Sequence, residues 1–145
     1  MTGSGPIDAE RAFARAARAR RCAALLRRLR GTRGGRLRVY DEGAIARSGS
    51  APLRGTREIP LDAITGTLEP SRVSLFDCAF RPAGAARCRW QRLWLAEHRG
   101  HVLPPISVVR TASGYAVRDG HHRVSVAKAR GALCIDATID GVQAP

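Results

Sequence analysis

The run Asp119-Gly120-His121-His122-Arg123 lies between a strand-like segment, Gly114-Tyr115-Ala116-Val117-Arg118, and a helix-like one from Val124 to Arg130. A chain that leaves a strand and opens a helix at this point brings together backbone N–H groups without intrahelical acceptors and the positive end of the helix dipole. Gly120 would let a phosphate approach the backbone with no Cβ in the way. Arg123 carries a planar fork of five donors, and His121 and His122 add ring nitrogens whose charge changes near neutral pH. Such a set suits phosphate or nucleotide binding. The same residues admit a plainer account, in which Asp119 caps the helix through the N–H of His121 or His122 and Arg123 pairs with a surface carboxylate.

Other chemistry-bearing groups are less suggestive. His98 and His101 form a lone His-x-x-His that lacks the second ligand pair of a zinc module, and no cysteine stands close to His121 or His122 in sequence, so no metal site is expected. Ser125 has no base and orienting partner in view, which argues against a nucleophile. The long segment Gly66–Pro82 carries Glu69, Arg72, Asp77 and Arg81, and loops of that length are commonly functional or disordered. Glu69 or Asp77 would serve as a metal contact or general base if a reaction occurs, against the plainer role of a surface ion pair or loop cap.

These groups must be positioned by a modest set of elements. A helix is expected from Asp8, as N-cap, to Arg30, closed by Gly31, with Phe13, Ala17, Leu25, Leu26 and Leu29 as a partial apolar stripe and arginine over the rest. Leu37–Tyr40 reads as a short strand, and Gly43–Thr56 as a mobile loop. Trp90, Leu93, Trp94 and Leu95 mark a helix between Ala86 and His98, with Arg87, Arg89, Arg92 and Glu97 mostly on its other side. The two tryptophans share a face, as core residues or, if one faces a cleft, as a platform for a base. Ile106–Arg110 and Tyr115–Arg118 read as a strand pair turning at Thr111–Gly114. The expected class is α+β, or mixed α/β: a small mixed sheet with packed helices, preceded by one basic helix. The expected division is a basic arm over 1–36, a strand and flexible loop over 37–57, and a globular domain over 58–145.

From Ile59 to Ile139 this order resembles the ParB/sulfiredoxin superfamily: an opening strand Arg57-Glu58-Ile59-Pro60-Leu61, an arginine-bearing loop, a helix, a strand pair and a Gly-x-x-Arg turn that opens a helix. Within it, Asp-Gly-His-His-Arg before a small-residue helix is most similar to stand-alone, nuclease-like ParB-like domains. The resemblance implies phosphate contacts from Gly120, His121, His122 and Arg123, with Arg72 and Arg81 reaching the phosphates from the second side and magnesium accompanying the nucleotide. Sulfiredoxins have Gly-Cys-His-Arg at the turn, with the cysteine reacting. Here that position is His121, so sulfinic-acid repair is not expected. Segregation ParB proteins continue into a helix-turn-helix reader, and with the sequence ending at Pro145 that mode of DNA reading is not expected either.

Charge adds a second line. The 145 residues carry 25 Lys plus Arg against 12 Asp plus Glu, a net charge of +13, which points to anionic partners. Lys128 is the single lysine, and abundant Ala and Gly suggest a GC-rich coding sequence that inflates arginine. The clustering of eleven arginines between Arg11 and Arg38 is not explained that way. Cys22, Cys78, Cys88 and Cys134 form no Cys-x-x-Cys pair, and no apolar leader or run of ~20 apolar residues occurs, so reduced thiols in a cytoplasm are expected. Three functions follow as expectations. The first is a domain binding CTP, ATP or a similar nucleotide, with hydrolysis an open question. The second is a nucleic-acid binder in which Arg18, Arg21 and Arg28 track the strand. The third is a small-molecule kinase of the ParB-like type, in which Asp119 or Glu69 orients the acceptor or metal.

Overall fold

A computed structural model describes residues 4–48 and 54–141. Helix α1 spans Gly5–Arg30, starting one turn earlier than the sequence pattern suggests. The reason is Pro6, whose fixed φ and missing N–H suit a first helical turn, so Ser4 rather than Asp8 becomes the N-cap. Gly31 closes the helix in the left-handed conformation, as expected. The predicted stripe divides in two. Ala9, Phe13 and Ala17 are buried, whereas Leu25, Leu26 and Leu29 are exposed, because at 3.6 residues per turn the three leucines come round to the side of α1 opposite Phe13 and Ala17.

Leu37–Tyr40 does not form a full strand. It makes an isolated bridge from Val39 to Thr67, with Tyr40 N–H donating to the Thr67 carbonyl and Thr67 N–H to that of Arg38. The Gly43–Thr56 stretch holds more structure than expected: helix α2 is Glu42–Arg47, capped by the Asp41 carboxylate on Gly43 N–H, and strand β1 is Gly55–Pro60. Between them, 49–53 lie outside the described residues.

The sheet is completed by β2 (Ile64–Thr67), β3 (Ile106–Thr111), β4 (Gly114–Asp119) and β5 (Cys134–Asp140), in the order β1-β5-β3-β4-β2. β1/β5 and β3/β4 pair antiparallel, β5/β3 and β4/β2 parallel. Helices α3 (Arg87–His98) and α4 (His121–Ala129) complete the described regular elements, apart from short 3-10 turns. The class is α+β with a mixed sheet, as the sequence suggested.

Alternation along the strands sorts the two sheet faces. Ile59, Ile106, Val108, Val117, Ala137 and Ile139 join Phe13, Phe76, Phe80, Trp90, Val124 and Val126 in one core under the helices. α1 packs on α3 and α3 on α4. Phe13 meets Trp90 edge-on at 5.5 Å, and the Trp90 Nε1–H donates to Ser125 Oγ at 2.9 Å, which satisfies the indole in an otherwise apolar core. Arg118, Ser107 and Asp140 fall on the opposite face, where Arg118 pairs with Asp140 and with Glu42 of α2. Among the described residues no helix is long and apolar enough to cross a membrane. The four cysteines are exposed and unpaired.

Candidate phosphate-binding turn

β4 ends at Asp119, and one residue reverses the chain into α4. Gly120 has φ 103°, and a Cβ there would stand 2.5 Å from Ile106 Cγ2 and 2.9 Å from Ile106 Cβ. Both the backbone conformation and the close approach to β3 therefore require glycine. The first intrahelical bond runs from Val124 N–H to the Gly120 carbonyl at 3.0 Å. The N–H groups of His121, His122 and Arg123 precede it, and no side chain caps the helix. Of the plainer account, the Asp119 cap does not form, because Asp119 belongs to the strand, whereas Arg123 does pair with a surface carboxylate, that of Asp119 itself, at 2.9 Å.

Around this N-terminus lies a cleft of about 30 Å³, lined by the Asp119–Arg123 turn together with Arg72, Arg89 and Leu93. Pro70 opens the short 3-10 turn (Pro70–Ser74) that carries Arg72 across from α4, and the first turn of α3 supplies Arg89. The Nε of Arg72 is buried with no hydrogen-bond partner. The sequence pattern puts Arg89 mostly on the outer side of α3. The missed signal is its i, i+4 spacing to Leu93, which puts the two side chains side by side on the cleft wall.

Arg123 is only 11% exposed in its side chain and is already engaged. Its guanidinium donates to the Pro104 and Pro105 carbonyls at 2.6 and 2.7 Å and to Asp119, tying the start of α4 to the segment that feeds β3. The histidines are buried. His121 Nε2 shares a 2.6 Å hydrogen bond with Thr67 Oγ1, and its ring lies against Phe76 and Phe80. His122 packs edge-on to Phe76. Burial, and then the Arg72 charge, push His121 down to about 4. Burial followed by Arg89 and Arg72 does the same to His122. Their charge change, expected near neutral pH, is displaced well into acid, and both rings are neutral at pH 7.

The remaining sequence candidates are placed elsewhere. Arg81 binds Asp77 at 3.3 Å and faces a separate groove beside Lys128, so Arg72 and Arg81 do not converge on one site. Asp77 is 4% exposed and accepts from the N–H groups of Ala79 and Arg81, which makes it a loop-capping residue. Glu69 is exposed and outside the lining of the turn cleft. Arg18, Arg21 and Arg28 are exposed along α1. His98 stacks on Trp94 at 4.8 Å. No cluster of three or more His, Cys, Asp or Glu able to hold a metal occurs among the described residues.

No family model and no curated protein matches the chain. Among solved structures there is a match. The fold is similar to that of sulfiredoxin from Arabidopsis thaliana. The identity is 20%, the match covers 59% of this chain and 84% of that one, and the TM-score is 0.45.

Proposed function

We propose that the chain binds a phosphate group, carried by a nucleotide, at the N-terminus of α4. The observation that supports this reading is the convergence of Arg72 and Arg89 on an uncapped helix start, with the Arg72 Nε buried and unpartnered. A phosphate oxygen would satisfy that donor and the waiting N–H groups together, in the field of the helix dipole. The cleft has room for the phosphate alone, so sugar and base would lie over its mouth. Arg123 acts from behind, holding the turn in shape through Pro104, Pro105 and Asp119.

Magnesium has no obvious protein ligand here. The Asp119 carboxylate is paired with Arg123, and Glu69 does not line the cleft. A metal ion would come bound to the nucleotide phosphates, and no chemical step is assigned to it. The same placement leaves Asp119 and Glu69 without a catalytic role in this reading.

The test is calorimetric titration of CTP, ATP, GTP and a short DNA duplex at low and moderate salt into wild type, Arg72→Ala and Arg89→Ala. A charge-assisted bond is worth about 1.5–3 kcal/mol, so each substitution should weaken nucleotide binding about tenfold or more. Saturable binding indifferent to both substitutions would sink the proposal.

One observation favours a nucleic-acid reading: Arg18, Arg21 and Arg28 are all held in solvent along α1. Binding by that arm would fall steeply with salt as counterions are released. Deleting the helix would be a poor test, since Phe13 and Ala17 belong to the core. Replacing Arg18, Arg21 and Arg28 by serine leaves the core intact, and should remove DNA binding while sparing CTP.

A further inference from the structure

The turn cleft is not the largest concavity. A groove of about 630 Å³ lies between α1, the Ala79–Pro82 loop and the C-terminal half of α4, within the range typical of small-molecule pockets. Its lining combines apolar surface from Phe80, Pro82, Trp94 and the alanines of α1 with the cations Arg15, Arg81, Lys128 and Arg130, and it contains no carboxylate, Arg130 being paired with Glu97 outside the groove at 3.6 Å. Arg81 is neutralised by Asp77. Lys128 has no ion-pair partner among the described residues, and its ammonium lies 5.5 Å from the centre of the Phe80 ring. Asp62 and Asp77 act on Lys128 only through space, and burial outweighs them, lowering its pKa. A half-buried ammonium facing a groove with no counter-ion is the complement of a bound anion. Arg15, on the facing side of α1, also makes no ion pair among the described residues.

We propose that this groove binds a small organic monocarboxylate with a flat aromatic body. The carboxylate would sit on Lys128 and Arg15, and the hydrocarbon would lie against Phe80, Pro82 and Trp94. The Trp94 indole is fixed in place by His98 stacked at 4.8 Å and by the Arg130 guanidinium at 5.2 Å, so that wall is preformed. The site is independent of the turn, since the two linings share no residue.

The test uses 1-naphthoate and its uncharged counterpart 1-naphthamide, titrated by calorimetry into the full chain. Naphthoate should bind at least about tenfold more tightly than the amide. Lys128→Met and Arg15→Gln should each remove most of that difference, and Arg72→Ala should leave it unchanged. Because Lys128 is the single lysine, labelling by an amine-reactive reagent, read at that residue by peptide mass, follows the site in the wild-type protein. Saturating naphthoate should slow that labelling about tenfold or more, with no dependence on whether a variant folds. The proposal is overturned if acid and amide bind alike, if naphthoate binding is weaker than about 1 mM, if it is lost in Arg72→Ala instead, or if labelling is unprotected. Sedimentation showing a second copy seated in the groove and not displaced by naphthoate would overturn it as well.

Discussion

Lowering the pH from 7 to 5 should destabilise this fold through two residues, His121 and His122. Each is held at about 4 against an ordinary 6.5, because burial and the cleft arginines Arg72 and, for His122, Arg89 disfavour the imidazolium. A base whose folded value lies below its unfolded one takes up a proton on unfolding. The stability it contributes is therefore complete above about pH 6.5 and lost as the pH falls toward 4. At pH 5 the unfolded chain is protonated at both positions and the folded one at neither, a cost of about 2 kcal/mol for each histidine. Against a total stability of roughly 5–15 kcal/mol, losing about 4 is severe. Urea unfolding monitored by tryptophan fluorescence at pH 7, 6 and 5 measures it directly, Trp90 being buried beside Ser125. Wild type should lose about 4 kcal/mol across that range, and His122→Gln about half as much, whatever the variant's stability at pH 7. Inorganic phosphate at saturating concentration should flatten the slope, since an anion at the turn offsets the Arg72 and Arg89 charges that oppose protonation. A midpoint that is flat from pH 7 to 5, or a slope unchanged in the double variant His121→Gln/His122→Gln, would refute the reasoning.

Four further outcomes follow from the geometry of the turn and core. Gly120→Ala should lose roughly 2–4 kcal/mol in urea unfolding, combining the left-handed backbone penalty with overpacking against Ile106, and a loss under about 1 kcal/mol would mean that the turn relaxes freely. Arg123→Ala should cost about 2 kcal/mol with no ligand present, because the exposed carbonyls of Pro104 and Pro105 rehydrate but the tie between α4 and β3 is lost. Arg123→Lys should recover less than half of this, a point charge being unable to reach both carbonyls and Asp119. Ser125→Ala should cost about 1–3 kcal/mol by leaving the Trp90 N–H buried without an acceptor, visible as a shifted urea midpoint and altered tryptophan emission.

What the sequence disclosed and what it hid divide along the range of the interactions involved. α3, the β3–β4 hairpin, Gly120 and α4 were legible because their signals are local: apolar spacing, a turn, and a glycine between a strand and a helix. α2 was hidden because a six-residue helix within a Gly- and Ser-bearing stretch has too few positions to show a period, and only Asp41 on Gly43 N–H marks its start. Leu25, Leu26 and Leu29 look like a continuation of the Phe13–Ala17 stripe, yet at 3.6 residues per turn they stand on the opposite side of α1, and it is that side which faces solvent.

The candidate site shows the same division more sharply. Arg72 and Arg81 lie nine residues apart in one loop, and composition gives no ground for separating them. The separation comes from Asp77, which captures Arg81 and turns it toward Lys128, while the 3-10 turn after Pro70 holds Arg72 over the start of α4. Likewise the fork of Arg123 is matched by carbonyls 18 and 19 residues away, a pairing that no local pattern announces. The arginine most conspicuous in the motif is thereby the one with the fewest donors to spare, and phosphate binding at this turn would depend on two arginines that the motif does not contain. Arg72→Ala combined with Arg89→Ala should therefore abolish nucleotide binding at little cost in stability, whereas Arg123→Ala should reduce both together.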